Sequence, residues 1–336
     1  MSRRRKFLLW LLALLVLGEL AVRAVEALEG GTGSLYDYVV PVGKRFKLRP
    51  DTRLIVPERY GDVDYRFNRQ GYRDDEPAAG AGVRRIVLLG DSVAFGLGVD
   101  QDRIFASLLE RRLGPPWEVD NLAVFAYHSG NELEALETDG VKLRPELVVV
   151  QFYMNDFSIP TASGGPEPPP GLGQRLTAVK NRLLYSSALY RRLHQAAAGL
   201  AYLAAHDARR RWFPETLNKA EPVSKLALLE ATPDDERVAA FRVLRQIRDV
   251  ARAHGARTLI LLMPDEVQLF TPRYDGINRR FAAFCAKEGI DLLDPLPALR
   301  ASPERADFYL DGVHLTERGH QEVAGLLFDE LRRSPR

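Results

Sequence analysis

Three short stretches of the 336-residue chain carry residue types that can do chemistry together. The first is Gly90-Asp91-Ser92, behind the apolar run RRIVLLG. A serine at a strand-to-helix turn presents its hydroxyl to a ligand while its own backbone N–H faces the same pocket. GDS is also a common turn sequence, and alone it marks only a turn. It is not the G-x-S-x-G nucleophile elbow, because Ala94 stands at the second glycine. It is not a phosphate loop either, since no G-x-x-x-x-G-K-[ST] occurs. The second stretch is Tyr153-Met154-Asn155-Asp156, behind ELVVVQF. An asparagine amide there can donate to an oxyanion or cap a turn. The third is DFYLDGVHLTERGHQEVA, where Asp311 and His314 lie three apart in an expected turn. At that spacing the carboxylate can orient the imidazole or stabilise its charged form. A metal pair is the weaker rival, because His128, His194, His206 and His254 are scattered and no third ligand falls at suitable spacing. His320 is expected to cap or pack within the last helix.

The elements that must position these groups are legible around them. RRIVLLG, WEVDNLAVF, ELVVVQFYM, ARTLILLMP and the weaker IDLLDP read as five strands, the first compact and β-branched as in a buried parallel sheet. Helical patterns stand between them: DQDRIFASLLERRLG opened by Asp100 or Asp102, SGNELEALETDG capped by Ser129, PDDERVAAFRVLRQIRDVARAHG and DGINRRFAAFCAKEG, with GHQEVAGLLFDELRR closing the series. Strands alternating with helices predict an α/β fold, a parallel sheet covered by helices on both faces. In such a sheet reactive groups gather at the carboxyl ends of the strands, which is where all three stretches fall. The expected organisation is an N-terminal hydrophobic segment over 1–27, an irregular, β-rich lead-in over 28–82, and the α/β domain over 83–336. A helical insertion is expected at about 158–232, with Leu189, Leu193, Ala197, Leu200 and Leu203 on one helix face.

Composition narrows the function classes. With 46% hydrophobic and 27% charged residues the chain is globular and not disordered. The formal net charge is +2, but Arg3, Arg4, Arg5 and Lys6 lie at the N-terminus, leaving 43 basic against 45 acidic residues elsewhere. A body without basic excess lacks the face that nucleic-acid binding needs. Cys285 is the single cysteine, which excludes an intramolecular disulfide and any cysteine-based zinc or iron–sulfur site. The basic cluster precedes the apolar run FLLWLLALLVLG, the pattern of a signal peptide or a membrane anchor. A span of ~20 residues is reached only by including Glu19 and Arg23, which are four apart and able to pair. The expectation is a retained anchor with the body outside the cytoplasm, with cleavage near Ala24 or Ala27 as the alternative.

The set Gly90-Asp91-Ser92, the segment NLAVFA at 121–126, Asn155-Asp156 and Asp311-x-x-His314, in that order, resembles the SGNH (GDSL) hydrolases, serine esterases and related acyl-transfer enzymes. The resemblance covers roughly 84–331 outside the insertion. It implies Ser92 as nucleophile, His314 as general base and Asp311 as the residue holding the histidine. The implied oxyanion hole is the Ser92 N–H, the Asn155 side chain and the N–H at Ala126, where the family has glycine. Tyr153 replaces a second customary glycine, two before the asparagine. A methyl and a phenol ring at these positions predict a narrowed pocket that favours short acyl groups. The lead-in YRFNRQGYRDDE is similar to that of exported, membrane-tethered members. The expected activity is hydrolysis of an O-acyl, above all O-acetyl, ester of an envelope or secreted glycan, needing no metal or cofactor. The alternatives are an O-acyltransferase with the same triad and a sugar hydroxyl as acceptor, and an inactive structural member of an envelope-polymer assembly.

Overall fold

A computed structural model describes residues 3–28, 35–43, 45–58, 61–80, 82–158, 189 and 234–333. The first element, α1 (Arg3–Leu28), is an exposed helix whose 21-residue span Arg5–Val25 is long and apolar enough to cross a membrane. The expected Arg23–Glu19 pair forms on it, at 2.8 Å. Strands β1 (Val39–Val42) and β2 (Arg45–Leu48) make one two-stranded sheet, and β3 (Thr52–Glu58) and β4 (Gly61–Phe67) another.

The central sheet contains β5 (Arg84–Leu89), β6 (Trp117–Asn121), β7 (Leu147–Phe152), β8 (Arg257–Leu262) and β9 (Asp291–Leu293). Its order is β6-β5-β7-β8-β9 and every neighbouring pair is parallel. Ile86 pairs with Val119 on one side and Leu147 on the other, so β5 sits inside the sheet and its apolar run is buried from both faces. The helices are α2 (Ser92–Phe95), α3 (Phe105–Leu113), α4 (Ser129–Thr138), α5 (Asp234–Ala253), α6 (Asp275–Glu288), α7 (Leu296–Ala301) and α8 (Glu317–Arg333). The chain moves one way from β5 to β6 and back past β5 to β7. Right-handed crossovers in opposite directions place α3 and α4 on opposite faces. There α3 packs with α8, and α4 with α5. The reversal of direction opens a crevice at the carboxyl ends of β5 and β7.

Two helix starts differ from expectation. Asp100 precedes a 3-10 turn (Gln101–Arg103), and α3 begins only at Phe105. The orphaned Phe105 N–H donates to Nδ1 of His320 on α8, at 3.1 Å, so a distant side chain replaces a local cap. His320 is fully buried, and burial pulls its pKa down to about 3 and keeps it neutral. On α4, His128 is the N-cap, accepting from Gly130 N–H, and Ser129 is the first helical residue. The predicted helical insertion lies, apart from Ser158 and Leu189, outside the described residues.

The chain forms two units: Met1–Val39 with Leu54–Val56 and Ala162–Leu217, and Val40–Arg53 with Pro57–Thr161 and Asn218–Arg336. The second holds the central sheet and all of the residues described next.

Candidate active site

Ser92 is the first residue of α2, at the carboxyl end of β5. Asp91 caps this one-turn helix, its Oδ1 accepting from Val93 N–H at 2.9 Å. Gly90 has no room for a side chain, because a Cβ would meet Gln151 Oε1 at 2.6 Å. That same oxygen accepts from the N–H groups of Asp91 (3.2 Å) and Ala94 (3.1 Å), so β7 holds the turn from behind. Gln151 was not singled out in the sequence, where it reads as one more residue of a strand.

The 309–315 loop brings the other two groups. A bridge between Tyr309 and Leu315, and a 2.7 Å bond from Leu310 N–H to the His314 carbonyl, close it. Asp311 Oδ1 accepts from Val313 and His314 N–H, at 3.1 and 2.9 Å. Its Oδ2 lies 2.8 Å from His314 Nδ1, and His314 Nε2 lies 2.9 Å from Ser92 Oγ. The structure thus brings Ser92, Asp311 and His314 into one hydrogen-bonded line. With Nδ1 donating to the carboxylate, Nε2 is left as the acceptor for the serine proton.

The electrostatics fit that direction of transfer. Burial opposes a charge on His314, but the Asp311 carboxylate, with Asp91 and Glu58 further off, outweighs it and raises the imidazole above its ordinary 6.5. Burial pushes the Asp311 carboxyl up, and its bonds to His314 and to two backbone N–H groups bring it net below its ordinary 3.8. Glu58 comes from β3, and its Oε1 accepts from Tyr65 OH at 3.1 Å. Behind the serine, Glu132 and Asp156 are fully buried. Burial first raises both well above the ordinary carboxyl range; repulsion from Asp156 and then Asp91 adds to it at Glu132, and repulsion from Asp91 adds to it at Asp156.

Ala126 adopts φ 60°, the left-handed conformation that glycine takes freely. The alanine therefore keeps glycine's backbone path, at a strain of about 1 kcal/mol. Its segment runs alongside β5: Leu122 N–H bonds to the Leu88 carbonyl and Val124 N–H to that of Gly90, which carries Ala126 to the level of the Ser92 turn. Asn155 lies in the 3-10 turn Met154–Ser158, just beyond β7. Tyr153 does not project as a narrowing ring. It is 5% exposed, and its hydroxyl donates to Asp265 Oδ2 at 2.7 Å. Of the two groups expected to narrow the pocket, only the Ala126 methyl remains exposed. Among the described residues no group of three His, Cys, Asp or Glu is arranged to hold a metal ion.

A parallel α/β sheet with a Ser-His-Asp line at its carboxyl edge defines a hydrolase-like protein of the serine type. The model of the GDSL-like Lipase/Acylhydrolase family matches residues 88–322, and the chain belongs to that family, whose members hydrolyse esters. Similar solved structures include TesA, at 17% identity over 74% of this chain and 99% of that one, with a TM-score of 0.45. A lipase/acylhydrolase from Enterococcus faecalis matches at 14% identity over 75% and 96%, with a TM-score of 0.43. The acetyl xylan esterase AlAXEase matches at 12% identity over 74% and 99%, with a TM-score of 0.42. No curated protein matches.

Proposed function

We propose that the protein is a serine esterase that cleaves O-acyl, above all O-acetyl, esters of an envelope or secreted glycan. The carrying observation is the continuous line Asp311 Oδ2, His314 Nδ1, His314 Nε2, Ser92 Oγ, with contacts of 2.8 and 2.9 Å. Ser92 Oγ attacks the ester carbonyl while His314 Nε2 takes its proton. The tetrahedral oxyanion is held by the N–H groups of Ser92 and Ala126 and by Asn155. His314 then returns the proton to the departing sugar oxygen, leaving an acyl-serine. A water molecule, deprotonated by His314 in turn, attacks this ester, and collapse releases the carboxylic acid and restores Ser92. Asp311 fixes the imidazole tautomer and steadies its transient charge.

The choice of glycan follows from location. The apolar helix α1 behind a basic cluster supports a membrane tether with the body outside the cytoplasm, where envelope and secreted polymers are the abundant acylated substrates. The test is release of acetate from O-acetylated glycans by the full-length protein, measured with and without an added sugar acceptor. Acetate release that depends on Ser92 is the expected result. Transfer to the sugar in place of release would make the protein an acyltransferase, and no turnover of any acetylated glycan would remove the substrate assignment. Asn155→Ala should slow the reaction roughly 10²- to 10³-fold.

A further inference from the structure

The lead-in stretch FNRQGYRDDE has no part in the proton chain, yet its backbone is closed with unusual thoroughness. Asn68 Oδ1 accepts from the N–H groups of Gln70 and Tyr72, at 3.0 and 3.1 Å, and its Nδ2 donates to the Asp75 carbonyl. Gly71 stands at φ 79°, and a Cβ there would meet the Leu48 carbonyl oxygen at 2.3 Å, so only glycine fits this crossing with β2. The closed loop drives Arg73 inward until none of it is exposed.

The acceptors of this buried guanidinium are backbone carbonyls. Nη1 donates to Phe95 and Gly96, at 2.9 and 2.6 Å, and Nη2 to Val99 at 2.6 Å. Its face covers the Tyr65 ring at 4.2 Å. Phe95 ends the one-turn helix that Ser92 begins. A helix of four residues cannot hold itself: the Ser92 and Val93 carbonyls accept from Gly96 N–H, and those of Ala94 and Phe95 turn to side chains from elsewhere in the chain. Arg73 supplies the Phe95 carbonyl and ties it to Gly96 and Val99 just beyond, and burial lowers its pKa only to about 10, leaving it a cation at neutral pH.

The next residue reaches the other loop. Asp74 Oδ2 accepts from Asn121 N–H at 2.7 Å, at the end of β6 where the Ala126 segment departs. Asn121 Nδ2 closes the circuit by donating to the Ala94 carbonyl in α2, at 3.2 Å. We infer that residues 68–75 form a clamp that sets the nucleophile turn and the oxyanion segment relative to each other, with Arg73 and Asp74 as positioning residues. The inference rests on the reading of Ser92 as nucleophile and of the Ala126 N–H as an oxyanion donor.

The test uses the full-length protein in detergent, an aryl acetate as substrate and a fluorophosphonate that labels Ser92. Arg73→Lys keeps the charge and loses the planar fork. It should lower kcat and the labelling rate roughly 10- to 100-fold, the scale of a misplaced reacting group. KM should stay within about threefold, and the midpoint of the pH profile should not move. Arg73→Ala should fall further and recover activity in millimolar ethylguanidinium. Should Arg73 variants fail to fold, Asp74→Ala carries the test, with a lower kcat at unchanged melting temperature as the expected result. Wild-type kcat and labelling in Arg73→Lys, or in a folded Asp74→Ala, would overturn the clamp. Ser92→Ala is measured alongside. If it keeps its activity the nucleophile assignment falls. If it is inactive while the clamp variants run at wild-type rate, the clamp alone falls.

Discussion

The two loops that meet at the site are held in opposite ways. The Ser92 turn is framed from far along the chain: Gln151 from β7, Asn121 from β6 and Arg73 from the lead-in all bond to its backbone or to the residues that follow. The 309–315 loop is held mainly by itself, through Asp311 accepting two nearby N–H groups and a bridge at its neck. The first frame is buried, whereas the Asp311 side chain is 39% exposed. Placement of Ser92 is a property of the whole fold, and orientation of the His314 ring is set mainly by a few adjacent residues.

The largest expected effect removes a reacting group from either side. Ser92→Ala and His314→Ala should each lower turnover of an aryl acetate by roughly 10⁴-fold or more while the protein stays folded. A residual rate near wild type in either variant would dissolve the comparison at its root. Asp311→Asn comes next, with a loss of roughly 10²- to 10⁴-fold. This variant breaks the local frame, so it should also shift the pH profile. The carboxylate favours the imidazolium, and activity needs the neutral ring. The wild-type rate should therefore rise through a midpoint above 6.5, and removal of the charge should move that rise to lower pH.

Gln151→Leu attacks the distant frame and should behave conversely. Two buried N–H groups lose their acceptor, which should cost about 2–4 kcal/mol of stability in a denaturant titration. Its pH midpoint should stay in place, and a shifted midpoint would show that the two frames are not separable. The smallest effect belongs to Glu58→Gln. Glu58 acts on His314 only by charge at a distance, so its loss should lower the midpoint by less than Asp311→Asn does. An upward shift would contradict the assignment of Glu58.

The same contrast decides what was legible in the sequence. Asp311 and His314 make their bonds within three residues, so their spacing shows them as a pair, whereas Gly90-Asp91-Ser92 alone reads as a turn and gains its meaning from the order of the blocks. The strands β5, β7 and β8 are readable because each is a short apolar run buried in a parallel sheet, whereas the edge strand β9 is short and only partly buried and reads more weakly. Gln151 and Arg73 act 57 and 22 residues away on backbone atoms, which carry no sequence signature. The cap on α3 escaped for the same reason, since His320 arrives from α8. Ala126 departs from the glycine of the resembling family, and the structure keeps glycine's φ there with alanine in place. The bulk of Tyr153 reads as an obstacle in the sequence, whereas in the structure its hydroxyl donates to Asp265 and the ring is held in the packing.

The order of the elements along the chain has a consequence for biogenesis. Ser92 follows the first strand of the sheet, but the loop bearing His314 lies beyond the last, β9. On the proposed assignment, a chain emerging from a ribosome exposes Ser92, its nucleophile, long before His314, its base, can reach it. Until the final segment docks, the serine is an ordinary alcohol. The proposed mechanism thereby ties ester cleavage to completion of folding, and a partly synthesised chain leaves the acylated molecules it meets intact.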